Sequence, residues 1–317
     1  MAERFEIVEK ALLAMLEGKK YATLRDILVT MNPSDVAGLF RGLEEKQIPL
    51  LFRLLPKELA AETFVEMEPD DQELLIQGFS DNELKEVLDE LYVDDAADLV
   101  EEMPANVVKR ILKAADPEMR SSINQILRYP EYSAGSIMTT EYVSLRPSMT
   151  VGEAILRIRR QGVDKETIYT CYVTAKDRTL TGLVTVKDLL LAEDDDTPIS
   201  EIMVTNLISV TTQTDQEEVA RMFSKYNFLA LPVVDGENRM VGIVTFDDAM
   251  DVMEDEATED IEKMAAIIPS DKTYMRSNVF DLFKKRIPWL MLLMVSATFT
   301  GIIISHYEEQ LGALLCL

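Results

Sequence analysis

The chain has 317 residues, enough for two or three domains, and 47% of them are hydrophobic, which excludes general disorder. Acidic residues number 57 against 32 basic, a net charge of −25 that repels nucleic acid and gathers cations. The two cysteines, Cys171 and Cys316, exclude a disulfide framework and a thiolate zinc site, and a reducing cytosol is the expected surrounding.

Met1 to Lys20 is charged throughout and reads as an amphipathic helix, not a secretory signal. From Asn32 to Asp116, breaks recur at helix-length intervals: Asn32-Pro33, Leu55-Pro56, Glu68-Pro69, Ser80-Asp81, Val93-Asp94, Met103-Pro104 and Asp116-Pro117. Pro33 and Pro117 suit the first helical position behind Asn and Asp caps, and Ser80 with Glu83 forms a capping box. Short helices of this kind cannot bury a face alone. They predict an all-α superhelical domain over residues 1–131.

The next region, 132–254, holds a longer repeat, with copies at about 136–196 and 201–254. Ser136-Ile137-Met138-Thr139 recurs as Glu201-Ile202-Met203-Val204. Each is followed by a short strand (Tyr142–Leu145; Leu207–Val210), an amphipathic helix and two β-rich runs: IYTCYVTA with TLTGLVTV, then LALPVVD with RMVGIVTF. Each copy closes on Gly-hydrophobic-Val-Thr-x-x-Asp, at Gly182–Asp188 and Gly242–Asp248. This doubled β-α-β-β-α pattern resembles a CBS pair, an α/β module.

A connecting segment follows, with a long helix expected from Asp247 and the connector proper at 255–285. Met250, Met253, Ala257, Ile261 and Met264 make one apolar stripe on it. Ile287 to Ser305 then contains no charge and reads as a transmembrane helix, bounded at 286–306 and meeting the lipid bilayer there. Arg276, Lys284, Lys285 and Arg286 precede it and Glu308 and Glu309 follow, which puts residues 1–285 in the cytoplasm of a cell-membrane protein. Trp289 suits an interfacial anchor, and LGALLCL at 311–317 reads as the start of a second crossing cut short.

Asp247, Asp251, Asp255 and Glu259 follow one another at i,i+4, so like charges lie side by side. A solvated surface helix would explain them; a bound divalent cation explains them better given their place between a sensing type of domain and a membrane span. Asp94, Asp95 and Asp98 form a second group, for which a capping role with Asp94 as N-cap competes evenly with metal binding. Asp215 and Glu217 form a third, where Thr214 and Glu217 already satisfy a capping box. Carboxylates without His or Cys favour hard cations, and scattered acids without an EF-hand loop suit Mg²⁺ better than Ca²⁺. No nucleophile–base arrangement is legible: His306 lies at the far end of the membrane span and Cys171 within a predicted buried strand, so an enzyme is not expected.

The whole arrangement resembles the MgtE family of magnesium transporters. The stretches that carry the resemblance are TDQEEVARMF (Thr214–Phe223), LPVVDGENRMVGIVTFDDAMDVMEDEATEDI (Leu231–Ile261) and Arg286-x-Pro288-Trp289-Leu290. It implies a helical N domain, a CBS pair, a connecting plug helix and a membrane pore, assembled as a homodimer through the CBS pair and membrane region. It also implies regulatory Mg²⁺ bound in the closed state by Asp94, Asp98, Asp215, Glu217, Asp248, Asp251, Glu256 and Glu259, with Glu62 a weaker match. Asn227 stands where the family pattern has an acid, so a site using that position should be weaker or remodelled. Thr185 with Asp188, and Thr245 with Asp248, stand where CBS pairs hold a ribose, which implies ATP; helix capping is the competing explanation. A nucleotide-sensing CBS module of another membrane protein, and a helical adaptor for partner proteins, are the other readings.

Overall fold

The structure, a computed structural model, describes residues 10–16, 18–265 and 279–315. Most of the expected first helix (1–9), part of the connector (266–278, with Arg276), and Cys316 lie outside the described residues. The chain divides into two compact units, Met1–Ala249 and Met250–Leu317.

The first unit opens with short helices: α1 (10–16), α2 (Tyr21–Leu28), α3 (Pro33–Phe40), α4 (Ile48–Phe52), α5 (Lys57–Val65), α6 (Pro69–Gly78), α7 (Asp81–Leu88), α8 (Val93–Glu102), α9 (Ala105–Ala114) and α10 (Pro117–Ile126). Local chemistry starts them where expected. Asn32 and Asp116 cap α3 and α10 with Pro33 and Pro117 at the first position, and Ser80 and Glu83 close a reciprocal box on α7. Helices two apart in sequence stack, α3 on α5, α5 on α7 and α7 on α9, and likewise α4 on α6 and α8 on α10, while α6 also meets α9 across the two series. Between the helices lie fully buried Leu24, Phe40, Phe64, Leu75, Leu84 and Ile111. Each such side chain contributes roughly 1.5–3 kcal/mol on burial. Arg53 crosses from α4 to α7, its Nε 2.7 Å from Glu83 Oε1.

Two three-stranded sheets follow. The first holds β1 (Tyr142–Leu145), β2 (Thr167–Thr174) and β3 (Leu180–Thr185), with α11 (Val151–Gln161) and α12 (Val186–Leu190). The second holds β4 (Val210–Thr211), β5 (Ala230–Val234) and β6 (Met240–Thr245), after α13 (Ile199–Ile202) and with α14 (Gln216–Tyr226). In each sheet the first strand is parallel to the second and the second antiparallel to the third. The copies interlock through their matching motifs: Thr139 bridges to Ile243, and Val204 to Leu183. A Cβ on Gly242 would lie 2.5 Å from Thr139 O, and one on Gly182 would lie 2.7 Å from Met203 Sδ, so the repeated Gly admits the other copy's Ile-Met segment. Cys171 is fully buried in β2, where burial pushes its thiol up to about 12.

α15 (Phe246–Met264) runs unbroken across the boundary expected at residue 255, because no Gly or Pro interrupts it. In the second unit Met253, Ile261 and Met264 of its apolar stripe are exposed. α16 (Val279–Leu315) contains the stretch Arg286–Tyr307, 22 residues of mean hydropathy 2.0, long and apolar enough to cross a membrane. Thr298 and Thr300 turn their hydroxyls onto the Met294 and Ser296 carbonyls, satisfying them within the helix.

Residues 311–315 of the expected second crossing continue α16, and residues 316–317 lie outside the described residues. Three local expectations are corrected. The strand expected at Leu207–Val210 is reduced to Val210–Thr211, the two positions that pair with β5. Thr214 does not box with Glu217: its hydroxyl accepts from Thr211 N, and Asp215 caps α14 by accepting from Glu217 N. Asp94 is not an N-cap, because α8 begins at Val93 behind an extended Tyr92. Asn227, at the C-terminal end of α14, is left-handed (φ 55°), a conformation that Asn tolerates better than most residues.

Candidate metal centre

Three parts of the first unit meet at the start of α8. The first turn of α8 brings Asp94 and Asp95; the residues before β1 and β2 bring Glu141 and Glu166; the first turn of α15 brings Asp247 and Asp248. α8 has no cap from its own chain neighbours. Glu141 Oε2, from the repeat pair, accepts from Val93 N at 3.1 Å, supplying a carboxylate to the positive end of the helix. That long-range cap explains why Asp94 is spared the role.

Asp94 is 5% exposed, and its Oδ1 has no hydrogen-bond partner; nor has the buried Oε2 of Glu166. Oxygens of Asp94, Glu141 and Glu166 lie within 4.8 Å of one another, the one such triple among the described residues. At that spacing two full charges repel by roughly 3–4 kcal/mol at an effective dielectric of 20. The titrations follow. Burial, and after it the charge of Asp248, push Asp94 well above the usual carboxylate range. The same causes in the same order raise Asp95 to about 7 and Glu166 to about 8. Asp98 rises too, by desolvation and Asp248, but its side chain is exposed and water screening makes it the softer member.

A hard divalent cation fits this donor set: oxygen only, net negative, and with two buried carboxylate oxygens lacking any donor. Ligand oxygens of an octahedral Mg²⁺ stand at most about 4.2 Å apart, so three oxygens grouped within 4.8 Å can share one ion with little movement. Without a cation or protons, burying these groups is costly.

Of the residues expected from sequence, the structure brings Asp94, Asp98 and Asp248 together. Asp215 caps α14, and Glu217 pairs with Arg221. Glu62 is exposed on α5. Asp251, Glu256 and Glu259 belong to the second unit, where Glu259 pairs with Lys263. Thr185 donates to Asp188 Oδ2 at 2.6 Å and caps α12 by accepting from Asp188 N, and the Thr245 hydroxyl and N–H both donate to Asp248, so each ribose candidate pair is bonded within itself. Sequence reasoning missed Glu141 and Glu166. The available signal was an asymmetry between copies, Glu141 occupying the place that Asn206 holds in the second copy, counted from the Ile-Met motifs.

Comparison with known proteins gives this centre its context. The family model of the MgtE intracellular N domain matches residues 31–132, and that of the CBS domain matches residues 134–195 and 199–255. The magnesium transporter MgtE of Thermus thermophilus is 39% identical over 308 residues, 96% of this chain and 68% of that protein. The chain belongs to the MgtE family of magnesium transporters. The Bacillus subtilis MgtE is 30% identical over 98% of the chain and 68% of its own length. A crystal structure of the cytosolic domain of the Mg²⁺ channel MgtE in complex with ATP matches with TM-score 0.73 and 38% identity, over 77% of this chain and 99% of that one. The soluble part of a magnesium transporter matches with TM-score 0.72 and 32% identity, over 80% and 99%. The acidic centre thus lies between an MgtE N domain and a CBS pair, in the regulatory part of a Mg²⁺ transporter.

Proposed function

We propose that this MgtE chain senses cytosolic Mg²⁺ at the acidic centre and that its N domain and CBS pair stay together or separate according to whether the carboxylates there are neutralised. The observation that carries the reading is the pair of buried, partnerless oxygens, Asp94 Oδ1 and Glu166 Oε2, in a cluster whose members repel. Asp94, Glu141 and Glu166 would hold the ion, with Asp95, Asp98 and Asp248 adding negative field. A bound Mg²⁺ supplies charge neutralisation. With their charge balanced, α8 and the starts of β1, β2 and α15 can remain packed; with it unbalanced, the carboxylates drive the N domain off the CBS pair.

In the parent protein the compact form favours a closed pore, and low Mg²⁺ releases it for Mg²⁺ influx. Inverting the two populations from 1:99 takes about 5.5 kcal/mol. Several sites each preferring the compact form tenfold, about 1.4 kcal/mol apiece, are sufficient. Asp215, Glu217, Asp251, Glu256, Glu259 and the weaker Glu62 are the candidates for the further sites. The assembly is a homodimer through the CBS pair and membrane region, with residues 1–285 cytoplasmic and 286–306 in the bilayer.

ATP is a second ligand of this reading, at Thr185 and Asp188 with Thr245 and Asp248. It is supported by the ATP complex of the MgtE cytosolic domain that is 38% identical. Limited proteolysis over a Mg²⁺ titration tests the main proposal: Mg²⁺ should protect the junction near residue 131, and Asp94→Asn should remove most of that protection. Equal cleavage in chelator and in abundant Mg²⁺ would refute it.

A further inference from the structure

The strands that carry Glu141 and Glu166 to the acidic centre have a second side. There, a cavity of about 490 Å³ is lined by Thr140, Tyr142, Ser144, Arg157, Lys165 and Arg178 among others, with no carboxylate in its wall. In a chain of charge −25 that is an unusual composition. The alternation of side chains along extended backbone produces it. Thr140, Tyr142 and Lys165 line the cavity, and their neighbours Glu141 and Glu166 join the acidic cluster.

We infer that this cavity binds a small anion bearing phosphate groups. Its three cations come from separate elements: Arg157 from α11, Lys165 from the approach to β2, and Arg178 from the β2–β3 turn. None of them forms an ion pair within 4.0 Å with a carboxylate among the described residues. Arg157 Nε is buried and has no hydrogen-bond partner, a donor that an anion in the cavity could satisfy. Arg178 is fixed from below: it is left-handed (φ 69°), and its Nη2 donates to Met240 O at 2.9 Å. The same guanidinium offsets part of the upward push that burial gives the Tyr142 phenol, so the phenol lies beside a cation. Two guanidinium forks, an ammonium and hydroxyl groups together match the several oxygens of a phosphate better than a single carboxylate. The volume, within the usual range for small-molecule sites, leaves room for an organic group on the phosphate. Thr185, Asp188, Thr245 and Asp248 do not line the cavity, so it is separate from the ribose positions.

Calorimetry on the full chain in detergent, in chelator, tests this without any divalent cation to bridge an anion to the carboxylates. Pyrophosphate in one arm and glycerol 3-phosphate, which carries no ribose, in the other distinguish an inorganic from an organic source of the phosphate. We expect saturable binding of at least one probe, at one per chain. Binding should weaken at least tenfold in Arg157→Gln and severalfold in Lys165→Gln, with melting temperatures close to the parent's, and should be unchanged in Asp188→Asn. Absence of saturable binding by both probes overturns the inference. So does an affinity that survives both cation substitutions, or one lost in Asp188→Asn. The readout is the cavity's own cations, Arg157 and Lys165, which belong to the CBS pair and take no part in the Mg²⁺-sensing reading, so the two can fail separately.

Discussion

Glu83 and Asp94 each sit in the first turn of a helix, in α7 and α8 of one stack, yet their surroundings drive them in opposite directions. Glu83 closes a capping box and meets Arg53, and those hydrogen bonds hold its carboxyl down at about 2. Asp94, buried beside other acids with one oxygen unpartnered, is pushed well above the ordinary range. The first carboxylate is complete within its own domain. The second is incomplete until something positive arrives, and that difference separates a structural acid from a candidate sensor.

The sharpest way to break the comparison is to remove the second carboxylate. At Mg²⁺ a hundredfold above its dissociation constant, the parent should gain about 2.7 kcal/mol against unfolding. Asp94→Asn should lose at least half of that gain in pulse proteolysis across a urea series; an undiminished gain would mean the ion binds elsewhere. The pH dependences come next and should have opposite signs. Asp95 and Glu166 hold their protons up to about 7 and about 8 in the folded chain, whereas unfolded carboxylates release them near pH 4. The folded state therefore binds more protons in that window, and metal-free stability should fall as pH rises from roughly 4 to 8. Glu83 works the other way: its contribution is present above the ordinary carboxylate range and lost as pH drops toward about 2. Urea midpoints measured in chelator between pH 4 and 8 check the first trend, and a flat profile would contradict it.

Smaller in size is Glu83→Gln, which should cost about 1 kcal/mol in metal-free stability through the lost cap. Its Mg²⁺ response should equal the parent's, and a changed response would erase the distinction drawn between the two acids. The smallest effect belongs to Asn227→Asp. An anion at the C-terminal end of α14 opposes the helix dipole by about 0.3–1 kcal/mol. Mg²⁺ should return part of that loss if the position joins a site, and a cost identical with and without Mg²⁺ would remove it from the candidates.

What was legible in the sequence was what is decided locally. Asn32, Ser80 and Asp116 announce their helices because each cap reaches a backbone N–H two or three residues on, and the strands of both repeats follow from alternation bounded by turn residues. The centre was legible by halves. Asp94, Asp98 and Asp248 lie in dense acidic runs, but Glu141 and Glu166 are single acids at strand entries whose role depends on a fold that brings Glu141 to the N–H of Val93. The same contact defeated the assignment of Asp94 as a cap, since no local pattern reveals a cap supplied from another domain. α15 was legible as one helix in DDAMDVMEDEATEDIEKM, where no Gly or Pro intervenes, so the domain boundary expected at residue 255 falls inside it.

Gly182 and Gly242 leave each sheet with a slot that only the other copy's Met segment fills. Neither half of the duplication is therefore a finished body. A cut in the linker near Asp195 would leave both fragments with raw apolar notches, so the pair should be made, folded and degraded as one piece.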